Sequence, residues 1–392
     1  MIFNGWDYYV LFLVPSAILF RAASERVRPW VIFATGCLFF VYFSYTQLGG
    51  IAGAACLGIF LWESLVSRFY KPLSWICWAG VALAVLFLIV FKYRNFLTGL
   101  VWADPSRNPL YWKNAFLPLG ISFFTFEFAH YAMDCYRGKA EKGSVGDYMA
   151  FILFFPTMVA GPIKRYEDFV PKLQSISADW ALDWQRGITR ILAGLAKKFA
   201  IADLLTAYTN HLNWADIAQA QRDVLPLWLL AYGIKIYTDF SAYSDIAIGS
   251  ARLFGIRVPE NFDWPYLRTN IADFWRRWHM SLTNWLIDYI YIPMGGSRVR
   301  GERVYANILV TMLISGIWHG AGIHFAVWGL LHGVLLAIRR AWRMVRPMPA
   351  APPRWSQIGS WALTFVAVNL AWAFFCMDVH TALFFFRRLF LG

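Results

Sequence analysis

Long apolar stretches alternate with short basic segments along most of the chain. In the first quarter, apolar runs begin at Tyr8, Trp30, Ile51 and Trp75 and contain few charged residues. Because a helix of about 20 apolar residues can cross the hydrocarbon core of a bilayer, these runs predict four plain membrane helices. The first run has no basic segment before it and no A-x-A cleavage site after it. This pattern favours a membrane helix over a removed signal peptide.

From about residue 114 onward, polar residues enter the apolar stretches. Residues 154–169 are broken by proline and glycine, and such breaks persist at membrane depth only where protein or a water-filled cavity covers the backbone. Residues 187–205 are amphipathic, which is typical of a helix lying on the membrane surface. We therefore expect one membrane domain over residues 1–392. It comprises plain helices (1–113), a polar-laced core (114–345), and a Pro-rich loop with one or two C-terminal helices (346–392).

Composition supports the membrane assignment. The chain is 59% hydrophobic and 15% charged, whereas soluble domains average roughly 45–50% apolar and about 25% charged residues. The net charge is +13, but the basic residues are spread over short clusters between apolar runs. This distribution predicts cytoplasmic loops, including 21–28 and 339–346, and argues against nucleic-acid binding. Five cysteines without CxxC spacing predict neither a disulfide nor a metal site.

Ionisable residues within the apolar stretches carry the candidate chemistry, because burying each in a membrane costs about 2.5–3.5 kcal/mol. They fall in four groups: Glu127/His130/Asp134, Lys164/Arg165, Asp239/Asp245, and Arg276/Arg277/His279/Asp288 with His319. Several have structural interpretations. Asp288 either pairs with Arg276 or Arg277 or acts directly. We expect His130 to be a hydrogen-bonded core residue and His332 to serve packing or an interface.

His319 lies in the segment "SGIWHGAG". Its small neighbours allow close approach by another helix or by a substrate. An apolar setting disfavours the charged form of a histidine. A neutral imidazole has a free nitrogen that can accept a proton, so His319 is a candidate general base.

Three segments carry a family resemblance: "FFPTMVAGPIKRYEDF", "IYTDFSAYSDIAIGSARLFGIRVPENFDWPYLRTNIADFWRRWHMSLTNWLIDYIYIPMGGSR" and "SGIWHGAGIHFAVWGLLHG". They resemble the signature blocks of the membrane-bound O-acyltransferases, in the bacterial branch with the alginate O-acetylases and teichoic-acid D-alanylation proteins. Two positions depart from the family pattern, with Ile287 in place of an arginine and Ala242 in place of a glycine. The first departure weakens any direct role for position 287.

The resemblance implies an all-α polytopic membrane protein with about 11 transmembrane or re-entrant helices around a central tunnel, plus short amphipathic interfacial helices. It implies that His319 is catalytic and that His279 also lines the tunnel. Further positions in the same blocks would line the tunnel or position the substrate: Arg276, Arg277, Trp278, Ser281, Asp288, Asp239, Tyr243 and Trp318. Trp275, Trp278 and Trp285 would pack the polar residues in place. No metal is expected.

The implied reaction moves an acyl group, with acetyl favoured, from a cytoplasmic thioester donor to a hydroxyl. The donor would be acetyl-CoA or an acyl carrier protein, acting as co-substrate rather than as bound cofactor. The acceptor would be an extracytoplasmic polysaccharide or a secreted or membrane-anchored acyltransferase partner. The expected location is the bacterial cytoplasmic (inner) membrane, in contact with the lipid bilayer. D-alanyl transfer remains an alternative. The residues of the motifs are more similar to those of the acetylases, whereas the length of the chain is more similar to that of the D-alanylation proteins. A transporter or non-catalytic acyl conduit is a second alternative.

Overall fold

A computed structural model describes residues 2–48, 50–102, 104–113, 116–140, 143–176, 178–346 and 353–391. Over these residues the chain is helical and contains no β-strand. Residues 347–352, which form most of the Pro-rich loop expected from the sequence, lie outside the described part. Asn114 and Lys142, at the start of the polar-laced core and in a basic cluster, also lie outside it.

The helices of the first half begin with a π-helical segment, Tyr8–Leu13, that continues directly into α1. They are α1 (Val14–Ala22), α2 (Arg28–Leu48), α3 (Gly50–Ser67), α4 (Trp75–Leu88), α5 (Arg94–Gly99), α6 (Ile121–Tyr136), α7 (Val145–Ile152), α8 (Phe155–Met158), α9 (Tyr166–Gln174) and α10 (Trp180–Lys197). The helices of the second half are α11 (Thr206–Thr209), α12 (Trp214–Gln219), α13 (Leu225–Leu253), α14 (Ile271–Trp275), α15 (Met280–Leu286), α16 (Gly301–His319), α17 (Ile323–Val345), α18 (Arg354–Cys376) and α19 (Val379–Phe390).

The four plain N-terminal helices are confirmed as helices. Among the described residues, three helical stretches are long and apolar enough to cross a membrane: Trp75–Gly99, Ile323–Val345 and Arg354–Cys376. Tyr8–Ala22, Arg28–Ser44 and Leu57–Ser67 are shorter apolar helices. The amphipathic segment is also helical, and α10 exposes Leu182, Ile188 and Leu192.

The chain divides into two compact units. The first comprises Met1–Leu195 and Tyr243–Pro259, and the second comprises Ala196–Ala242 and Glu260–Gly392. Buried phenylalanines dominate the core of the first unit. This unit also buries charge: the Lys164 ammonium lies 2.5 Å from a carboxylate oxygen of Glu127, and both side chains are almost fully buried. Burial of such a pair is tolerated because each ion compensates the other.

The core of the second unit contains the buried tryptophans Trp275, Trp278, Trp328 and Trp372, packed among aliphatic residues and phenylalanines. Glycines bring α16 and α17 together within this unit. A Cβ atom added to Gly316 would lie 2.2 Å from the carbonyl oxygen of Phe325, and one added to Gly329 would lie 2.3 Å from that of Met312. The small residues beside His319 therefore permit close approach of a helix, as the sequence had indicated.

Candidate active site

His279 occupies the break between α14 and α15. Its backbone is left-handed, with φ 44° and ψ 55°. This conformation is uncommon for residues other than glycine and costs about 1–2 kcal/mol. The strained residue is the N-cap of α15 and immediately precedes its first residue, Met280. Backbone strain of this kind occurs most often at functional sites.

The imidazole of His279 is buried, with 1% of the residue exposed. The ring of Phe240 meets it edge to face at 4.7 Å between centres. Within the described part of the chain, neither ring nitrogen has a hydrogen-bond partner. A buried polar group without a partner costs about 1–3 kcal/mol. The two nitrogens are therefore available to a ligand that would offset this cost.

His319 is the last residue of α16 and lies beside His279. The centres of the two imidazole rings are 6.4 Å apart, and no hydrogen bond joins them. Aromatic side chains surround His319: Trp328 at 5.2 Å, Phe375 at 5.1 Å and Trp318 at 4.9 Å. His319 itself is only partly buried. The tertiary structure thus brings together the two histidines selected from the sequence.

The neighbouring arginines have partners that differ from the expected one. Arg277 forms an ion pair with Asp263, and Arg276 lies 3.5 Å from Asp273. The anticipated pairing of either arginine with Asp288 stays a prediction. Asp273 lies one helical turn before Arg276, where opposite charges meet. Asp263 reaches Arg277 because the loop before α14 folds back on the turn, and Asp263 N–H donates to the Arg277 carbonyl over 3.1 Å.

A cavity of about 180 Å³ lies beside this turn. Its lining is mainly apolar and includes Trp275, Leu286, Met312 and Leu336. Arg276 also lines the cavity, although 74% of its side chain is exposed. The assignment of Arg276 and Arg277 to a tunnel wall remains a prediction.

The remaining predicted positions divide between the two units. Trp278 is buried among the rings of Phe274, Phe262 and Trp372. The hydroxyl of Ser281 donates to the Asn261 side-chain oxygen over 2.6 Å. These two residues belong to the second unit, as do five further positions from the predicted set. The five are the buried Trp318, the half-buried Asp288, Asp239, which pairs with Lys198 at 3.0 Å, Arg276 and Arg277.

Tyr243 belongs to the first unit, where its ring packs on Phe3 at 4.7 Å. Its hydroxyl is buried and has no hydrogen-bond partner among the described residues. A role for Tyr243 in a tunnel stays a prediction. Trp285 packs on Tyr289 at 5.0 Å and is buried.

His332 and His130 are both fully buried. The indole N–H of Trp275 donates to Nδ1 of His332 over 3.2 Å, and Trp328 packs on the same ring at 4.9 Å. His130 contacts the Phe126 carbonyl through Nδ1 and accepts from the Tyr166 N–H at Nε2, over 3.3 Å. Both residues fit the structural interpretation made from the sequence.

One group of side chains has the spacing of metal ligands. Donor atoms of His130, Asp134 and Glu167 lie within 4.8 Å of one another. However, both nitrogens of His130 already make hydrogen bonds to the backbone. A metal needs a free lone pair on the imidazole, so the group is poorly suited to hold one without rearrangement.

Several residues that surround His279 and His319 are not indicated by the sequence pattern. Phe240 and Phe375 contact the imidazoles, and Asn261 binds the turn that carries His279. The first two look like ordinary core phenylalanines in sequence. Asn261 stands inside a family block, "VPENFDWP", but a single loop asparagine gives no signal of burial.

The arrangement can perform base-catalysed transfer between two substrates. The centres of the two imidazole rings are 6.4 Å apart, so that one reacting group could contact both. One imidazole can take a proton while the other donates a hydrogen bond. His279 is shielded from solvent among aromatic side chains, and low local polarity strengthens each polar interaction made there.

Comparison with known proteins gives a consistent result. The profile of the MBOAT family, the membrane-bound O-acyltransferases, matches residues 73–380. The chain is 34% identical to the probable alginate O-acetylase AlgI of Pseudomonas putida, over 97% of this chain and 79% of the relative. It is 33% identical to the peptidoglycan O-acetyltransferase of Helicobacter pylori, over 91% of this chain and 73% of the relative. It is 29% identical to the teichoic acid D-alanyltransferase of Bacillus subtilis, over 85% and 87% respectively.

Proposed function

Because the chain belongs to the membrane-bound O-acyltransferase family, we propose that it acetylates a hydroxyl of an extracytoplasmic polysaccharide. The acetyl group comes from a cytoplasmic thioester, either acetyl-CoA or an acyl carrier protein. Transfer is direct or passes through a secreted or membrane-anchored partner acyltransferase. Two relatives named for O-acetylation of alginate and peptidoglycan support acetyl over D-alanyl, since both are more similar to this chain than the D-alanyltransferase is.

The observation that carries the proposal is the pairing of His279 and His319. His279 presents two buried nitrogens that lack partners among the described residues, 6.4 Å from the ring of His319. Nitrogens buried at that cost are expected to meet a polar substrate group. The resemblance to the family supports His319 as base and His279 as the group that orients the acceptor or stabilises developing charge, and the 6.4 Å between the rings is compatible with these roles.

In the proposed reaction, His319 takes the proton of the acceptor hydroxyl. The acceptor oxygen attacks the thioester carbonyl carbon, a C–O bond forms and the C–S bond breaks. The leaving thiolate receives the proton from the His319 imidazolium, which restores the neutral base. A positioned base contributes about 10²–10⁴-fold to such a step. His279 acts by hydrogen bonding and keeps its protonation state.

The reaction requires access from both sides of a membrane. We place the protein in the bacterial cytoplasmic membrane as a multi-pass protein. About 11 transmembrane or re-entrant helices would surround a tunnel, and the three long and three shorter apolar helices of the described residues are six of them. The basic segments 21–28 and 339–346 face the cytoplasm, where the donor is made.

The test compares surface polysaccharide from cells that carry the wild-type gene, no gene, or a His319 variant. Esters are identified by mass spectrometry, which separates acetyl from D-alanyl groups. We expect His319→Ala and His319→Gln to lower acetylation by about 10²-fold or more at normal membrane levels. His380→Ala is the control, because the His380 ring stacks on Trp214, with 4.4 Å between the ring centres, and not on the side chains that surround His279 and His319.

Near-normal acetylation by both His319 variants would refute the catalytic assignment and favour a conduit or a transporter. D-alanyl esters that depend on the gene would refute the acetyl assignment alone. Purified protein in vesicles, with an acyl thioester outside one face and a soluble oligosaccharide at the other, then separates direct transfer from transfer through a partner.

A further inference from the structure

Helix α15 begins without a hydrogen bond to the side chain of its N-cap residue. His279 holds the N-cap position, yet its side chain accepts no hydrogen bond from the helix. The N-cap side chain usually accepts from the second or third backbone N–H of a helix, and the residue is usually Ser, Thr, Asp or Asn. If the imidazole capped α15, one ring nitrogen would be lost to structure. Another group must satisfy the first N–H groups of this helix.

Asn261 satisfies them from outside the helix. Its backbone carbonyl oxygen accepts from the Met280 N–H over 2.9 Å. Its side-chain oxygen accepts from the Ser281 hydroxyl over 2.6 Å and from the Ser281 N–H over 3.4 Å. Asn261 is itself fully buried. The first two residues of α15 thus both donate to one asparagine that lies 18 positions before His279 in the chain.

We propose that Asn261 is a positioning residue that caps α15 in place of His279. The cap holds His279 in its left-handed backbone conformation and leaves both imidazole nitrogens to the reactants. This inference rests on the role of His279 in the proposed function. It assigns Asn261 no contact with the substrate.

The 261–263 loop is placed to resist the strain at His279, and the Asn261 side chain anchors this loop to α15 by accepting two hydrogen bonds from Ser281. Met280 N–H donates to the backbone carbonyl of Asn261 on one side of His279, and Asp263 N–H donates to the Arg277 carbonyl on the other. These two main-chain bonds hold the turn between residues 277 and 280. A left-handed residue costs about 1–2 kcal/mol, which is within the reach of two buried hydrogen bonds at about 0.5–1.5 kcal/mol each.

The residue after Asn261 extends the same effect to the ring. Phe262 packs on Phe240 at 5.1 Å and on Trp278 at 5.1 Å. Phe240 in turn contacts the imidazole of His279. The loop that contains Asn261 and Phe262 therefore holds the backbone of His279 and also the Phe240 ring that packs against its imidazole. Loss of the Asn261 amide should shift the imidazole even if the helices themselves remain folded.

The experiment measures acyl transfer per folded molecule for Asn261→Ala, Asn261→Asp, His279→Ala and the double variant Asn261→Ala/His279→Ala. Asn261→Ala keeps the main-chain bond from Met280 and removes the two bonds between Ser281 and the Asn261 side chain. Because the loop then loses its anchor to α15, we expect the transfer rate to fall on the order of tenfold to a hundredfold, the scale of a misplaced catalytic group. Asn261→Asp keeps the accepting oxygen and should recover most of that loss. The double variant should be no slower than His279→Ala, because Asn261 acts through His279.

Asn213→Ala is the matched control. Asn213 also caps a helix, accepting from the Asp216 N–H over 3.0 Å, and it belongs to α12. Its loss removes an equivalent cap elsewhere and should leave the rate per molecule unchanged. An equal loss of rate in Asn213→Ala would overturn the proposal, since any weakened cap would then suffice.

Each remaining outcome is decisive. A wild-type rate in Asn261→Ala, or a loss that adds to that of His279→Ala, refutes the role of Asn261 and leaves the proposed function intact. A wild-type rate in His279→Ala refutes the role of His279 and, with it, this inference, whereas the His319 variants still test the reaction. If Asn261→Ala does not accumulate, Ser281→Ala takes its place in the same double-variant comparison. It removes the 2.6 Å bond, and an additive loss again overturns the proposal.

Discussion

The imidazole of His319 stands perpendicular to the indole of Trp328, with 5.2 Å between the ring centres. Trp328 is completely buried and also packs on His332 and Trp372. This indole therefore links the proposed base to the core of the second unit. A ring held on its edge by a rigid core residue has few alternative rotamers, which suits a group that must meet its proton in one geometry.

Trp328→Ala should unfold or deplete the protein, because truncating a buried tryptophan typically costs about 3–5 kcal/mol. Trp328→Phe keeps most of the packing but reduces the area of contact between this side chain and the His319 imidazole. We expect it to reach near-normal membrane levels while transferring acyl groups more slowly. Membrane level and ester content, measured on the same cells, separate the two effects. Normal transfer by Trp328→Phe would show that the indole does not position His319.

Gly329 and Gly359 provide a matched pair of helix glycines. A Cβ at Gly329 would lie 2.3 Å from the Met312 carbonyl oxygen, whereas one at Gly359 would meet no atom within 4 Å. Gly329→Ala should therefore push α17 from α16 and lower the melting temperature in detergent. Gly359→Ala should leave it unchanged or raise it, since alanine is favoured over glycine in a helix by about 1 kcal/mol. Equal melting temperatures for the two variants would contradict the close helix packing.

The buried pair of Glu127 and Lys164 predicts a rescue. Glu127→Gln alone leaves the Lys164 ammonium buried without a compensating charge, and such losses typically cost about 3–5 kcal/mol. The double variant Glu127→Gln/Lys164→Met removes both charges and should recover much of the stability. Thermal unfolding of the purified variants in detergent provides the measurement. A double variant less stable than Glu127→Gln would contradict a stabilising role for charge pairing here.

Arg277 and Asp263 can be separated by function. Their ion pair is partly exposed, and exposed pairs contribute about 0–1 kcal/mol. Asp263→Asn should therefore change membrane levels little. If Arg277 also lines the substrate path, Arg277→Ala should lower transfer well beyond the effect of Asp263→Asn. Similar small effects from both changes would show that Arg277 has no role beyond its partly exposed ion pair with Asp263.

Much of the architecture could be predicted from local pattern. The apolar runs after Tyr8, Trp30 and Trp75 became helices, because run length and the absence of charge depend on neighbouring residues alone. His279 and His319 can be identified from the sequence alone, because a polar residue in an apolar run is costly and the motifs around both are specific. The close approach of α17 to His319 also followed from the glycines around it.

Partner choice could not be predicted in the same way. Arg277 pairs with Asp263, a partner that no sequence pattern indicated, and Asn261 caps a helix that begins 19 positions later in the chain. The sequence by itself determined the helical membrane class and the chemical groups of the site. Only the tertiary structure decided the left-handed backbone of His279, its unpaired nitrogens and its distance from His319. The reason is physical: a helix forms from contacts within a few residues, whereas a loop's hydrogen bonds depend on the path that packing of the whole unit imposes.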